Sequence, residues 1–259
     1  MSIVAITSQY HQESAAIAEH TASLLGYRLV LMQDLVKATA EAFNTPEADL
    51  AGALKERSLL HRLLRKEKLK PVALLEHKLC ELMEGNEMVF CGFLGYPIFH
   101  EVSHVLKVLV VAHHESSSPR QPAKATASGN QTINWFKQVY HTHMEDPNLY
   151  DLTLNLVHMN PRQSADIIVS TLKQERFRPM TYSMNCQNNL GLACQVKTAL
   201  VDQVPDVAVK SHDGTVYVYS RAFKKSRRKK ALAVKEAIMR MQGVNYVEVC
   251  QEKAHFDDL

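Results

Sequence analysis

Short β-branched runs alternate with helix-spaced apolar positions along the first two-thirds of the chain. Ser2 to Thr7 (SIVAIT) predicts a buried strand. Gln12 to Leu25 sets Ala16, Ile17, Ala18, Ala22, Leu24 and Leu25 at near-helical spacing, and Gly26 sits where a helix-ending glycine belongs. Tyr27 to Leu31 reads as a second strand. Helices are expected through Phe43, from Ala48 to about Lys66, and from Pro71 to Glu84, the last with proline at its first position. Glu87 to Cys91 and Val105 to Val111 are further apolar strands, separated by a turn over Gly92 to Pro97 and a short helix. His113 to Asn130 is polar, aperiodic and rich in serine and proline, the pattern of a mobile surface loop. A helix from Thr132 to about His141, a strand from Tyr150 to Val157 and a helix from Pro161 to Lys173 follow. This alternation predicts an α/β fold with a mainly parallel sheet flanked by helices over residues 1–175.

The rhythm then changes. Residues 176–189 have no clear period and are expected to be a linker. Residues 190–250 read as helix (Leu190 to Gln203), strand (Asp206 to Lys210), an Asp213-Gly214 hairpin turn and strand (Thr215 to Ser220). A helix from about Lys225 to Met241, stopped by Gly243, and a strand from Val244 to Cys250 complete a small α+β module of order α-β-β-α-β. Residues 251–259 are expected to be a tail.

Composition narrows the classes. Of 259 residues, 46% are hydrophobic and 22% charged, which excludes wholesale disorder and rod-like folds. No apolar run reaches the roughly 18 residues of a membrane span. No basic, apolar, small-residue leader is visible at the N-terminus, so a cytoplasmic location is expected. The five cysteines (Cys80, Cys91, Cys186, Cys194 and Cys250) form no Cys-x-x-Cys pair, and free thiols are expected. Nine glycines in 259 residues is about half the usual share of roughly 7%, a poor supply for glycine-rich phosphate loops.

Two resemblances follow from specific residues. The opening strand, Ile17-Ala-Glu19 with Leu24-Leu-Gly-Tyr27, and the late stretch Asp146 to Asn155 followed by Pro161 to Ile168 resemble the cytidylate kinase-like family of P-loop nucleotide kinases. Val196, Ala199-Leu200, Val207-Ala-Val209, Asp213-Gly-Thr-Val216 and Gly243-Val244 with Val247 resemble a BON domain, a small module regarded as ligand- or phospholipid-associated. The first resemblance implies a phosphate loop after the opening strand, with glycines that admit backbone N–H groups, a basic residue, and a hydroxyl on Mg²⁺. The corresponding residues here are His11, Gln12, Glu13, Ser14, Ala15 and Ala16. Glycine and lysine are absent, Glu13 puts a carboxylate where polyphosphate would lie, and Ser14 is displaced from the metal-binding place near Ala16. The resemblance also implies lid arginines, but His113 to Asn130 offers only Arg120 and Lys124, and the next helix only Lys137. Loss of an arginine finger alone costs about 10³–10⁵ in rate.

Other patterns carry chemistry of their own. His100-Glu101-Val102-Ser103-His104 matches His-Glu-x-x-His, which on a helix presents two imidazoles to zinc with the glutamate as base. Its position between Pro97 and the strand near Val105 leaves under two helical turns, and no third ligand continues the motif. His113-His114 and His141-Thr-His143 fit solvated loop histidines. Phe93, where the family carries a basic residue, reads as an apolar plug. Lys224, Lys225, Arg227, Arg228, Lys229 and Lys230 gather six of the thirty basic residues at a helix N-terminus, where they oppose the macrodipole. A solvated face is the plain reading; an anionic ligand or a protein partner is the functional one, with nucleic acid the lesser prospect.

The expectation is a two-domain protein: a degenerate nucleotide-kinase-like domain with a regulatory, ligand-sensing or scaffolding role, joined to a BON-like module, with no cofactor. An active cytidylate-like kinase using ATP and Mg²⁺ is the alternative, and a zinc hydrolase at His100, Glu101 and His104 is the third.

Overall fold

A computed structural model describes residues 2–8, 11–55, 69–111, 127–157, 159–223 and 228–250. The described residues divide into two compact units, one within Met1–Glu56 and Gly85–Ser183, the other within Arg57–Glu84 and Met184–Leu259.

The first unit is built on β1 (Ile3–Ser8), β2 (Arg28–Leu31), β3 (Met88–Cys91), β4 (Val105–Val111) and β5 (Leu152–Asn155). They form one sheet in the order β2-β3-β1-β4-β5. Every pairing is parallel, with Ile3 of β1 opposite Met88 on one side and Val105 on the other. β1 is buried along its whole length, as the continuous apolar run of a central parallel strand requires. On one face, Val4, Ile6, Leu106, Val108 and Leu154 pack with Ile17, Ala18 and Ala22 of α1 (His11–Leu25) and Ile168 and Leu172 of α7 (Pro161–Leu172). α7 begins with a capping box: Gln163 N–H donates to Asn160 Oδ1 at 2.9 Å and Asn160 N–H to Gln163 Oε1 at 3.1 Å, with Pro161 at the first turn. α2 (Met32–Phe43), α3 (Glu47–Ala53), α5 (Gly95–Phe99) and α6 (Ala127–Tyr140) complete this unit. The α/β sheet predicted from the sequence is therefore present. Residues 113–126 of the predicted loop lie outside the described residues, and its last four, 127–130, belong to α6.

The second unit contains α4 (Leu69–Met83), most of α8 (Thr181–Leu200), β6 (Ala208–His212), β7 (Thr215–Tyr219), α9 (Arg228–Ile238) and β8 (Tyr246–Cys250). β6 and β7 are antiparallel and β7 and β8 parallel, giving a three-stranded sheet. Asp213 and Gly214 make the hairpin turn at φ +47° and +78°, as the dipeptide predicts. Val216, Val218 and Val247 pack with Val196 and Leu200 of α8 and Val234 and Ile238 of α9.

Two expectations need correction. Residues 176–189 are not a linker: a 3-10 turn spans Glu175–Phe177 and α8 starts at Thr181, nine residues before the predicted Leu190. α4, which falls inside the predicted 1–175 domain, belongs to the second unit and runs antiparallel to α8. Successive contacts show the direction: Lys70 Nζ to Asp202 at 2.7 Å, Thr198 Oγ1 to Ala73 O at 3.2 Å, Lys197 Nζ to Glu76 at 2.6 Å, and Gln187 Nε2 to Met83 O at 2.7 Å.

Candidate functional site

In the order β2-β3-β1-β4-β5 the chain goes from β1 to a strand on one side of the β1–β4 pair and from β4 to a strand on the other. In parallel sheets that divergence opens the crevice where ligands bind. The crevice of the first unit is framed by Thr7 and Ser8, the first turn of α1, the segment 91–97 and the segment 146–150.

β1 ends at Ser8 and α1 begins at His11, so only Gln9-Tyr10 separates strand from helix. The predicted phosphate-loop positions thus fall in the first helical turn. His11 opens α1, with its side chain outside the described residues. Gln12 is exposed and Glu13 half-buried. Ser14 is buried, with its hydroxyl beside the Cys91 thiol at the end of β3. Burial pushes that thiol up to about 11, with the Ser14 hydrogen bond pulling the other way. Glu13 is the acidic residue of the first turn, where a carboxylate answers the partial positive charge of the helix N-terminus. A bound phosphate would otherwise fill that electrostatic role.

Hydroxyl groups dominate the remainder. Ser8 Oγ donates to Val110 O at 2.9 Å, tying β1 to β4 at the crevice edge. Tyr150 donates to Met144 O at 2.7 Å, and Thr7 lies within hydrogen-bonding reach of the same phenol. Burial raises the Tyr150 hydroxyl well above the ordinary tyrosine range, against the opposing Thr7 hydrogen bond. Tyr96 packs on Tyr150 with centroids 5.6 Å apart, and burial, then Asp146, raise its hydroxyl also. Gly92 is required by space: a Cβ there would meet the Phe90 ring at 2.8 Å and Met32 Sδ at 3.1 Å. Phe93 is buried edge-to-face on Trp135 at 5.1 Å, while Trp135 Nε1 donates to Ala53 O at 2.6 Å. The apolar plug expected at Phe93 is present.

Segments 7–8, 11–16, 91–97 and 146–150 contain no lysine or arginine but include Glu13 and Asp146. The buried cation of the sheet, Lys107, is committed to Asp151 at 3.1 Å, and Asp151 also binds Arg176 at 3.0 Å. The arrangement can donate and accept hydrogen bonds and stack aromatic rings, but it supplies little positive charge. Sequence reasoning missed Thr7 and Tyr150; their only signal was a polar residue at the last turn of a buried strand and a tyrosine just before the next.

The His-Glu-x-x-His motif does not form the helix its chemistry needs. α5 ends at Phe99, and residues 100–104 make turns leading into β4. His104 is fully buried with Nε2 3.1 Å from Asn86 Oδ1, whereas His100 is exposed with Nδ1 3.2 Å from Pro97 O. Glu101 is exposed and lies 3.5 Å from His100 Nε2. Among the described residues, no group of three or more His, Cys, Asp or Glu is placed to hold a metal. His113-His114, Arg120, Lys124, Lys224, Lys225 and Arg227 lie outside the described residues. Arg228, Lys229 and Lys230 are the first residues of α9. No helix among the described residues is long and apolar enough to cross a membrane.

Among solved structures, the chain is similar to an uncharacterized protein from Eubacterium ventriosum, at 13% identity over 66% of this chain and 97% of that one (TM-score 0.42). It is also similar to shikimate kinase from Bacteroides thetaiotaomicron, at 10% identity over 67% and 99% (TM-score 0.40). Shikimate kinase from Acinetobacter baumannii, solved in complex with shikimate, aligns at 9% identity over 69% and 96% (TM-score 0.40). No curated protein matches the chain. Residues 3–158, more than half of the sequence and the stretch that carries the whole parallel sheet, match the cytidylate kinase-like family, and the chain belongs to that family.

Proposed function

We propose that this chain is a member of the cytidylate kinase-like family that no longer transfers phosphoryl groups and acts as a regulatory, ligand-sensing or scaffolding protein. One observation carries the reading: α1 begins at His11, directly after Gln9-Tyr10, with Glu13 in its first turn. A phosphate cradle needs several residues of glycine-rich loop whose N–H groups converge, and a lysine to meet the β/γ-phosphates. A carboxylate at the helix N-terminus opposes that ligand, since phosphoryl transfer is catalysed almost entirely by positioning and neutralising charge. The lack of lysine and arginine in the described segments 7–8, 11–16, 91–97 and 146–150 supports the same reading. In this reading no nucleotide or Mg²⁺ is a working cofactor, and partners are engaged elsewhere. The second unit, with its BON-like order, and the basic run Lys224 to Lys230 are the proposed means of engaging an anionic ligand or a protein.

An active cytidylate-like kinase using ATP and Mg²⁺ is the second reading, favoured by the family match and by Ser8 and Ser14 near the strand ends. Thermal unfolding separates the two. ATP, CTP, CMP and dCMP are added at millimolar concentration, with and without Mg²⁺. A ligand at 100 times its dissociation constant stabilises by about 2.7 kcal/mol, an easily read rise in Tm. No shift with any nucleotide is the expected result. A Mg²⁺-dependent rise of several degrees, with ADP formed from ATP and CMP, would overturn the degenerate reading.

A further inference from the structure

Cys80 on α4 and Cys194 on α8 face one another inside the second unit, 114 positions apart in sequence. Their sulfurs are 3.3 Å apart, and both residues are buried. Closing to a disulfide bond of about 2.05 Å needs roughly 1.2 Å of relative movement, within reach of side-chain rotation and a small helix adjustment. Their neighbours fix the register: Lys197 with Glu76 and Gln187 with Met83 hold α4 and α8 on either side of the pair. A cavity of about 670 Å³ opens beside it, and Cys80 forms part of the wall together with Glu81, Glu84, Gly191, Leu192 and Gln195; Cys194 does not.

We propose that Cys80 and Cys194 are an oxidisable dithiol, with Cys80 reacting first with a hydroperoxide admitted by this cavity and Cys194 resolving it to a disulfide that staples α4 to α8. In the first step the Cys80 thiolate attacks one peroxide oxygen. The S–O bond forms, the O–O bond breaks, and the departing hydroxide takes up the proton lost by the thiol, leaving water and a sulfenic acid. In the second step Cys194 sulfur attacks Cys80 sulfur. The S–S bond forms, the S–O bond breaks, and hydroxide leaves with the Cys194 proton as a second water. Overall, two thiols and hydrogen peroxide give one disulfide and two waters. The hydrogen bond to Cys194, then burial, push the Cys80 thiol well up, which keeps its thiolate scarce and the first step slow.

The test uses the full chain, reduced, freed of reductant and exposed to hydrogen peroxide under native conditions. Thiols are counted after denaturation in acid, and the protein is digested without reduction for peptide mapping. The expected result is a fall from five free thiols to three, a cross-linked peptide joining Cys80 and Cys194, and a rise in Tm reversed by dithiothreitol. In Cys194→Ser, dimedone labels Cys80 as the trapped sulfenic acid; in Cys80→Ser, Cys194 stays unlabelled. A titre that remains at five, or a bridge to Cys186 or Cys250 while Cys80 and Cys194 stay reduced, overturns the proposal. The wild-type map decides the matter even where a serine variant fails to fold. Neither outcome depends on whether nucleotides bind.

Discussion

Replacing Asp151 by Asn removes the charge that holds together the floor beneath Tyr150. Asp151 accepts three bonds: Lys107 N–H at 3.0 Å, Lys107 Nζ at 3.1 Å and Arg176 Nη2 at 3.0 Å. The Lys107 and Asp151 side chains are only 11% and 9% exposed, whereas that of Arg176 is 68% exposed. Asp151→Asn leaves the buried Lys107 ammonium without its counter-charge and with the Val105 carbonyl at 3.4 Å, a class of change that costs about 3–5 kcal/mol. Lys107→Met removes that ammonium and leaves the carboxylate with a backbone donor and Arg176, so the cost falls to about 1–2 kcal/mol. Arg176→Met breaks a solvent-screened pair and costs at most about 1 kcal/mol. The assay is urea denaturation followed by tryptophan fluorescence. The chain's single tryptophan, Trp135, belongs to the same unit, so the signal reports the relevant transition. The expected ranking is Asp151→Asn, then Lys107→Met, then Arg176→Met. If Arg176→Met costs as much as Asp151→Asn, or if Lys107→Met is the worst of the three, burial is not what sets these energies and the reasoning fails.

Three further outcomes are expected. Gly214→Ala places a Cβ 3.0 Å from the Gly243 carbonyl and 2.4 Å from Asn245 Nδ2, at φ +78°. The side chain of Asn245 can move but the carbonyl cannot, so a loss of about 2 kcal/mol, read by circular dichroism, is predicted, and under 0.5 kcal/mol counts against it. Cys91, buried and lifted to about 11, should stay unalkylated by iodoacetamide in folded protein at pH 7.5 and label fully in urea; rapid native labelling would show that the crevice opens. Burial lowers Lys197, but Glu76 outweighs it and the net shift is upward. A raised lysine contributes stability below its unfolded value near 10.5 and loses it as pH rises through the folded value. Above neutral pH the stability gap between wild type and Glu76→Gln should therefore shrink as Lys197 loses its proton; a gap that widens between about pH 7 and 11 contradicts the sign.

The strands were legible wherever burial on both faces imposed an unbroken apolar run: β4 spans the predicted Val105–Val111, and β1 differs from its prediction by a residue at each end. α7 and the Asp213-Gly214 hairpin were legible because a cap and a turn are local chemistry. The first half of α8 was not. Its inward positions include Ser183 and Gln187, both buried, and Gln187 Nε2 donates across the helix pair to Met83 O. A helix that buries amides against a partner's backbone shows no apolar period, so 181–189 read as a linker. The crevice was half legible. Missing glycines and lysines could be counted, but Thr7, Tyr150 and Tyr96 acquire meaning only once parallel pairing carries residues 7, 96 and 150 to one edge.

The position of α4 shows why a family match along the sequence is a poor guide to where this molecule divides. The matched stretch, 3–158, includes α4, yet its buried residues Glu76 and Cys80 meet Lys197 and Cys194, which lie well beyond that stretch. The chain passes from one unit to the other three times, after Glu56, Glu84 and Ser183. A cut at residue 175 would therefore leave α4 without the helix that supplies Thr198, Lys197 and Gln187, exposing a buried carboxylate and a run of apolar residues together. Returning those apolar residues to water costs roughly 25 cal/mol per Å², so α4 belongs with α8 rather than with its neighbours in sequence.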